Sequence, residues 1–102
     1  MQFIPNGGAA SELLMGGAGA DRFVFSGHNG TDTIANFQPG IDTIDLSGYS
    51  AALASFADLA GHISQVGGDV RVDLGAKVAG AGTIMLEHTQ LASIAASDFK
   101  FS

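Results

Sequence analysis

The amino-acid sequence predicts a mainly β protein: a short parallel β-roll closed by a small α+β C-terminal cap. Three observations carry that expectation. Up to about Ser47 the chain is a string of Gly-rich turns separated by short β-branched or aromatic pairs. Acids recur there at Glu12, Asp21, Asp32 and Asp42, and an apolar residue follows two positions after each, at Leu14, Phe23, Ile34 and Ile44. Beyond Ser47 the pattern changes to that of an ordinary small α+β segment. At 102 residues the chain suits one domain with one modest core. Residues 7–47 are expected to form the repeats, and residues 48–102 the cap.

The repeats come first. Gly7-Gly8-Ala9-Ala10-Ser11-Glu12-Leu13-Leu14-Met15 runs directly into Gly16-Gly17-Ala18-Gly19-Ala20-Asp21-Arg22-Phe23-Val24. Both read Gly-Gly-x-small-x-acid-x-apolar-x. Gly27 to Ala35, and the stretch around Gly40-Ile41-Asp42-Thr43-Ile44, keep the pattern with altered spacing. Glycine supplies the left-handed angles that a tight turn needs. The apolar residue after the acid belongs to a short strand and points inward. A turn plus a strand of about nine residues is half a coil of a stacked parallel solenoid, which buries its apolar rows between two sheets. Acids and turn carbonyls then face the gap between stacked turns, and a cage of hard oxygens suits calcium. Asp21, Asp32 and Asp42 are the candidate ligands. The competing reading is that they cap their own turns; their recurrence with glycines favours calcium.

The elements follow in order. Arg22 to Phe25, Thr33 to Phe37 and Thr43 to Leu46 read as strands. Phe56, Leu59 and Ile63 recur at helical spacing behind a Ser55 cap with Asp58 three residues on, which predicts a helix over 55–63. Gly67-Gly68 is a hairpin turn. Val70 to Leu74 alternates as a half-exposed strand, and Thr83 to Leu86 is a second strand that can pair with it. Thr89 to Ala96 suits a short helical turn, and Asp98-Phe99-Lys100-Phe101 ends the sheet. Phe23, Phe25, Phe37, Ile44 and Leu46 form the expected core, with the Phe56, Leu59, Ile63 stripe packed on it.

Composition removes several classes of function. Apolar residues make up 46%, too many for a disordered tail. A net charge of −6 repels phosphates and argues against nucleic acid and anionic membranes. No apolar run approaches the roughly 18 residues of a membrane span. The opening Met1-Gln2-Phe3-Ile4-Pro5-Asn6 has no basic region or apolar core, so no N-terminal signal peptide is expected. Cysteine is absent, which removes disulfides, thiolate metal sites and cysteine catalysis but not export. His28, His62 and His88 lie apart, at no ligand spacing. Gly17-x-Gly19 is followed by Arg22 where a dinucleotide loop needs glycine, and no EF-hand or Gly-x-Ser-x-Gly pattern occurs. Asn29-Gly30-Thr31 reads as a turn rather than a glycosylation site.

Gly16 to Val24 matches the whole RTX nonapeptide, Gly-Gly-x-Gly-x-Asp-x-apolar-x. Thr31 to Ser47 resembles the segment that closes the roll in serralysin-type and haemolysin-type secreted proteins. Ser55 to Leu59, Gln65 to Val70 and Asp98 to Phe101 resemble the C-terminal region of RTX proteins exported by type I secretion. The resemblance runs from about Gly7 to the C-terminus. It implies a non-enzymatic calcium-binding module of a secreted bacterial protein, with Ca2+ as cofactor and a type I exporter as partner. The catalytic or toxic part of a parent would lie elsewhere. It further implies metal ligands at Gly17, Gly19, Asp21, Gly30, Asp32, Gly40 and Asp42, with Glu12 as a further candidate; Asp45 is either an additional ligand or an exposed strand residue. In the family, sites lie between turns two repeats apart, so Asp21 should face the Gly40–Asp42 turn and Glu12 the Gly30–Asp32 turn. Ala10 and Glu12 depart from the motif and put the second site in doubt. Lys100 and Ser102 interrupt the apolar run expected after Asp98 in a secretion signal. Two alternatives remain. One is a carbohydrate-binding or adhesive accessory module with structural calcium, disfavoured because Tyr49 is the sole tyrosine and tryptophan is absent. The other is an enzyme fragment.

Overall fold

Strands of two to five residues account for most of the regular structure. The computed structural model describes residues 2–3, 13–16, 19–25, 30–49, 53, 55–78 and 81–101. Nine strands occur among them: β1 (Gln2–Phe3), β2 (Leu13–Met15), β3 (Arg22–Val24), β4 (Thr31–Ala35), β5 (Thr43–Asp45), β6 (Ile63–Val66), β7 (Asp69–Asp73), β8 (Thr83–Leu86) and β9 (Phe99–Lys100). One helix, α1 (Phe56–Ala60), precedes β6. The fold is mainly β with little helix, as the composition of its turns and strands leads one to expect.

The strands form two sheets. The first has the order β1-β3-β5-β9 and is parallel throughout. The second has the order β2-β4-β8-β7-β6; its first three strands are parallel and its last three antiparallel. From β1 to β5 consecutive strands therefore alternate between the sheets. Each strand pairs with the one two positions along the chain, as a period of about ten residues per half-coil requires.

The register explains the core. In the first sheet Phe23, Ile44 and Phe99 stand side by side. In the second, Leu14, Ile34, Leu86 and Val70 make the matching row. Most of these side chains are sealed from water, together with Phe25, Leu46, Leu59, Val72 and Ile84. Full burial of each stabilises the fold by about 1.5–3 kcal/mol. Outward positions of β4 (Thr31, Thr33 and Ala35) are exposed or half-buried, as strict alternation dictates.

The C-terminal half is not a separate layer. β8 extends the second sheet and β9 the first, both parallel to strands of the N-terminal half. Close approach makes the β4–β8 junction possible: Thr83 N–H donates to the Gly30 carbonyl at 2.9 Å. A Cβ on Gly82 would lie 1.4 Å from that same oxygen, so no other residue fits there.

Several boundaries differ from expectation. β4 starts two residues early, at Thr31, and ends at Ala35 because Asn36 takes a left-handed φ of 62°. The helix expected over 55–63 is one turn and a half, Phe56–Ala60. Gly61 favours neither continuation nor propensity. Ile63 opens β6 instead, opposite Val72. Its burial is partial and shared with the core, so the helical spacing of Phe56, Leu59 and Ile63 was coincidental with inward packing. Ser55 N–H does reach the Asp58 carboxylate at 3.3 Å. Gly67-Gly68 turns the β6–β7 hairpin, with Gly67 at φ 60°. The segment expected as one helical turn near 89–96 is two separate 3₁₀ turns, Leu91–Ser93 and Ala96–Asp98.

Candidate metal site

Three acids of the repeats sit at or beside strand beginnings with their side chains turned inward. Asp21 is 4%, Asp32 1% and Asp42 2% exposed. The two-residue offset is the cause: Asp21 shares a face with Phe23, Asp32 with Ile34 and Asp42 with Ile44. Burying a carboxylate is costly without compensating donors or cations.

The first sheet brings Asp21 and Asp42 together. Asp21 N–H donates to Asp42 Oδ1 at 2.8 Å, and Gln38 N–H donates to Asp42 Oδ2 at 2.9 Å. Thr43 N–H returns a bond to the Asp21 carbonyl at 2.9 Å. Asp42 thus ties its own turn to the turn before it, so the capping role weighed against calcium is real for this residue. Gly19 and Gly40 flank these acids in left-handed conformations, φ 82° and 84°. Gly16 lies close by: a Cβ there would stand 3.0 Å from Asp21 Oδ2. Gly17, the other expected carbonyl donor of this turn, lies outside the described residues.

Asp32 is in the second sheet, on β4. Its neighbour on β8 is Ile84, so no acid continues that row on the β8 side. Gly30, at φ 67°, precedes it and is the residue that Gly82 approaches. Glu12, its expected partner, lies outside the described residues.

Asp45 takes part in a different structure. Its side chain is fully buried, and Arg22 Nε donates to Oδ2 at 2.8 Å. Ser47 N–H donates to Oδ1 at 2.9 Å. Burial pushes the Asp45 carboxyl up, but the Ser47 hydrogen bonds and Arg22 outweigh it and hold it below the ordinary value. Asp45 is therefore no exposed strand residue; it is the buried half of an ion pair.

Asp98 was missed by motif. It is 1% exposed, accepts Gly40 N–H at Oδ1 (2.7 Å), and accepts Ala95 N–H at Oδ2 (2.8 Å). This repeats the Asp42 arrangement: one oxygen for the preceding turn of the sheet, one for its own. Nothing around Asp98 has the glycines of a nonapeptide; only its place as an acid directly before an alternating Phe-Lys-Phe strand signalled it.

Oxygen is the only donor type among the described residues of these turns, which fits calcium by chemistry. Among the described residues no three His, Cys, Asp or Glu side chains converge to hold a metal. A cation between the Asp21 and Asp42 turns would draw much of its coordination from backbone carbonyls. His62 lies in the turn after α1, and exposed His88 donates its backbone N–H to Asp69 Oδ1 at 3.0 Å. His28 falls outside the described residues.

No curated protein matches the chain. A family model does: Peptidase M10 serralysin C terminal, over residues 4–99. That family is the RTX calcium-binding repeat region of type I secreted proteins and the non-catalytic part of a protease family. With nearly its whole length matched, the chain belongs to the serralysin C-terminal family.

Proposed function

We propose that this chain is a calcium-binding β-roll module of a secreted protein, not enzymatic by itself, which calcium stabilises outside the cell. One observation carries the reading. Two successive turns of one parallel sheet are joined where Asp21 N–H donates to the Asp42 carboxylate, and both acids are buried beside left-handed glycines. The alternation of β1 to β5 between two sheets is the winding a roll needs. Asp21 and Asp42, with carbonyls from Gly17, Gly19 and Gly40, are the proposed ligands of one site. Asp32, Gly30 and Glu12 are those of a second, weaker one.

The mechanism is linkage between binding and folding. Extracellular modules bind calcium at roughly 0.1–1 mM. At cytosolic calcium the bound state contributes almost nothing. Outside, calcium at about 100 times the dissociation constant adds about 2.7 kcal/mol per site. Acids clustered at the turns keep the repeats loose before export, and the cation closes them afterwards. The C-terminal half is proposed to engage a type I exporter. The sugar-binding alternative loses support, since Tyr49 is 5% exposed and offers no platform.

Calorimetric titration of the whole chain with calcium chloride tests the reading, followed in parallel by far-UV circular dichroism. Saturable binding that raises the melting temperature is expected. No heat and no change in melting up to 10 times the upper affinity bound, about 10 mM, overturns it.

A further inference from the structure

Between Gln38 and Asp42 the turn that leads into β5 uses each of its N–H groups. Gln38 donates to Asp42 Oδ2, while Ile41 and Asp42 both donate to the Gln38 carbonyl, at 3.0 and 2.8 Å. Pro39 has no N–H. Three of the four bonds thus close within the turn. The fourth, from Gly40, goes to Asp98 Oδ1 at 2.7 Å, 58 residues further along the chain.

That outside bond falls on the turn's loosest point. Gly40 adopts φ 84°, and glycine resists displacement from such a conformation less than any other residue. The peptide is planar and trans, so fixing Gly40 N–H also fixes the Pro39 carbonyl, directed the opposite way. Asp98 is itself immobilised: it is buried, Ala95 N–H holds its second oxygen, and Phe99 beside it pairs with Ile44 of β5. A short charge-assisted bond to a fixed carboxylate is a strong constraint.

We propose that Asp98 is a positioning residue for calcium binding at the Asp21–Asp42 turns. It does not touch the cation. In the folded chain it orients the Pro39–Gly40 peptide, so that less of the turn is left for the cation to order. Removal of Asp98 releases that peptide, and binding must then order it. The inference rests on the calcium reading above, and it couples the last strand of the chain to a site formed by the first half. Coupling is reciprocal: a clamp that favours the cation is tightened by the cation in equal measure.

The test uses the full chain and calcium chloride. Calorimetric affinity is measured for the wild type, for Asp98→Ala, and for Val72→Ala, which weakens the core on β7 in the antiparallel part of the second sheet. Asp98→Ala should bind about five- to tenfold more weakly, while Val72→Ala keeps the wild-type affinity. On the wild type alone, hydrogen exchange at the Gly40 amide should slow on calcium addition by a similar factor, and this measurement decides the matter if Asp98→Ala does not fold. Equal affinities in wild type and Asp98→Ala, an equal loss in Val72→Ala, or a Gly40 amide indifferent to calcium overturns the proposal. A wild type that takes up no calcium overturns the calcium reading itself, a result distinct from equal affinities.

Discussion

Arg22 and Asp45 lie diagonally across β3 and β5, and the guanidinium closes over a carboxylate with no exposed surface. Arg22 stands opposite Thr43 and Asp45 opposite Val24, one alternate position further along. Nε reaches Oδ2 at 2.8 Å and the terminal nitrogen at 2.5 Å. The arginine side chain remains 49% exposed, so the pair is screened on one side only.

Arg22→Ala should therefore destabilise the protein by about 1–3 kcal/mol, the cost of leaving a buried acceptor unsatisfied. The effect has a pH signature. The folded-state carboxyl of Asp45 is held low, so its stabilisation is present above the unfolded value near 3.9. It disappears as pH falls through the lower folded value. Denaturant melts of both proteins should show the full difference at pH 7 and a shrinking one below about pH 4. A difference independent of pH would mean that Arg22 acts by packing alone.

Asp21 carries the one intact nonapeptide. Asp21→Ala should lower calcium affinity at least tenfold, or about 1.4 kcal/mol, in a calorimetric titration. Unchanged binding removes that site.

The second site is expected to be weaker, since Glu12 is longer than aspartate and Ala10 resists the angle glycine takes. Anomalous scattering from crystals soaked in calcium should show lower occupancy beside Asp32 than beside Asp21 and Asp42. Equal occupancy would mean that neither departure from the motif matters.

Gly82→Ala places a methyl 1.4 Å from the Gly30 carbonyl oxygen. Backbone on both sides must separate, and the cost should reach about 3 kcal/mol or more. Gly68→Ala meets nothing within 4 Å and serves as the comparison, expected to change stability little. The melting temperatures of the pair read the difference directly.

Loss of residues 98–102 removes Phe99, which packs on Phe56 at 5.5 Å and on Phe101 at 6.2 Å between ring centroids. A buried phenylalanine costs about 3–5 kcal/mol to truncate. The shortened chain should melt early and, as a fusion behind a passenger in a host with a type I exporter, should leave the passenger inside the cell. Equal export with and without the C-terminal half would make that half a structural cap and nothing more.

Much of this was legible because the period of two is so direct. An acid two residues before an apolar side chain had to share its face, and Asp21, Asp32 and Asp42 are indeed buried beside their apolar neighbours. The Gly67-Gly68 turn and the alternation of Val70, Arg71 and Val72 were equally plain. β6 was hidden because Ile63 satisfies a helical stripe and a strand at once. Asp45 was hidden because alternation points it outward; only the arginine one strand away and the Ser47 turn bury it. Asp98 was hidden because its partner is a backbone N–H, which has no signature in a side-chain pattern. β9 gave no sign of its parallel direction, which depends on where a long excursion through β6, β7 and β8 returns the chain.

The β6–β7 hairpin is the one pairing among the described strands that closes through a two-residue turn. The parallel partners β3 and β5 are separated by a full winding, and the Gly40–Asp98 bond spans 58 residues. Closing such loops costs chain entropy before any contact rewards it. Assembly should therefore start at the hairpin, add β8 beside it, and recruit the windings afterwards, from C-terminal to N-terminal. Substitutions on β7 would then act chiefly on the rate of folding, and those on β9 chiefly on the rate of unfolding.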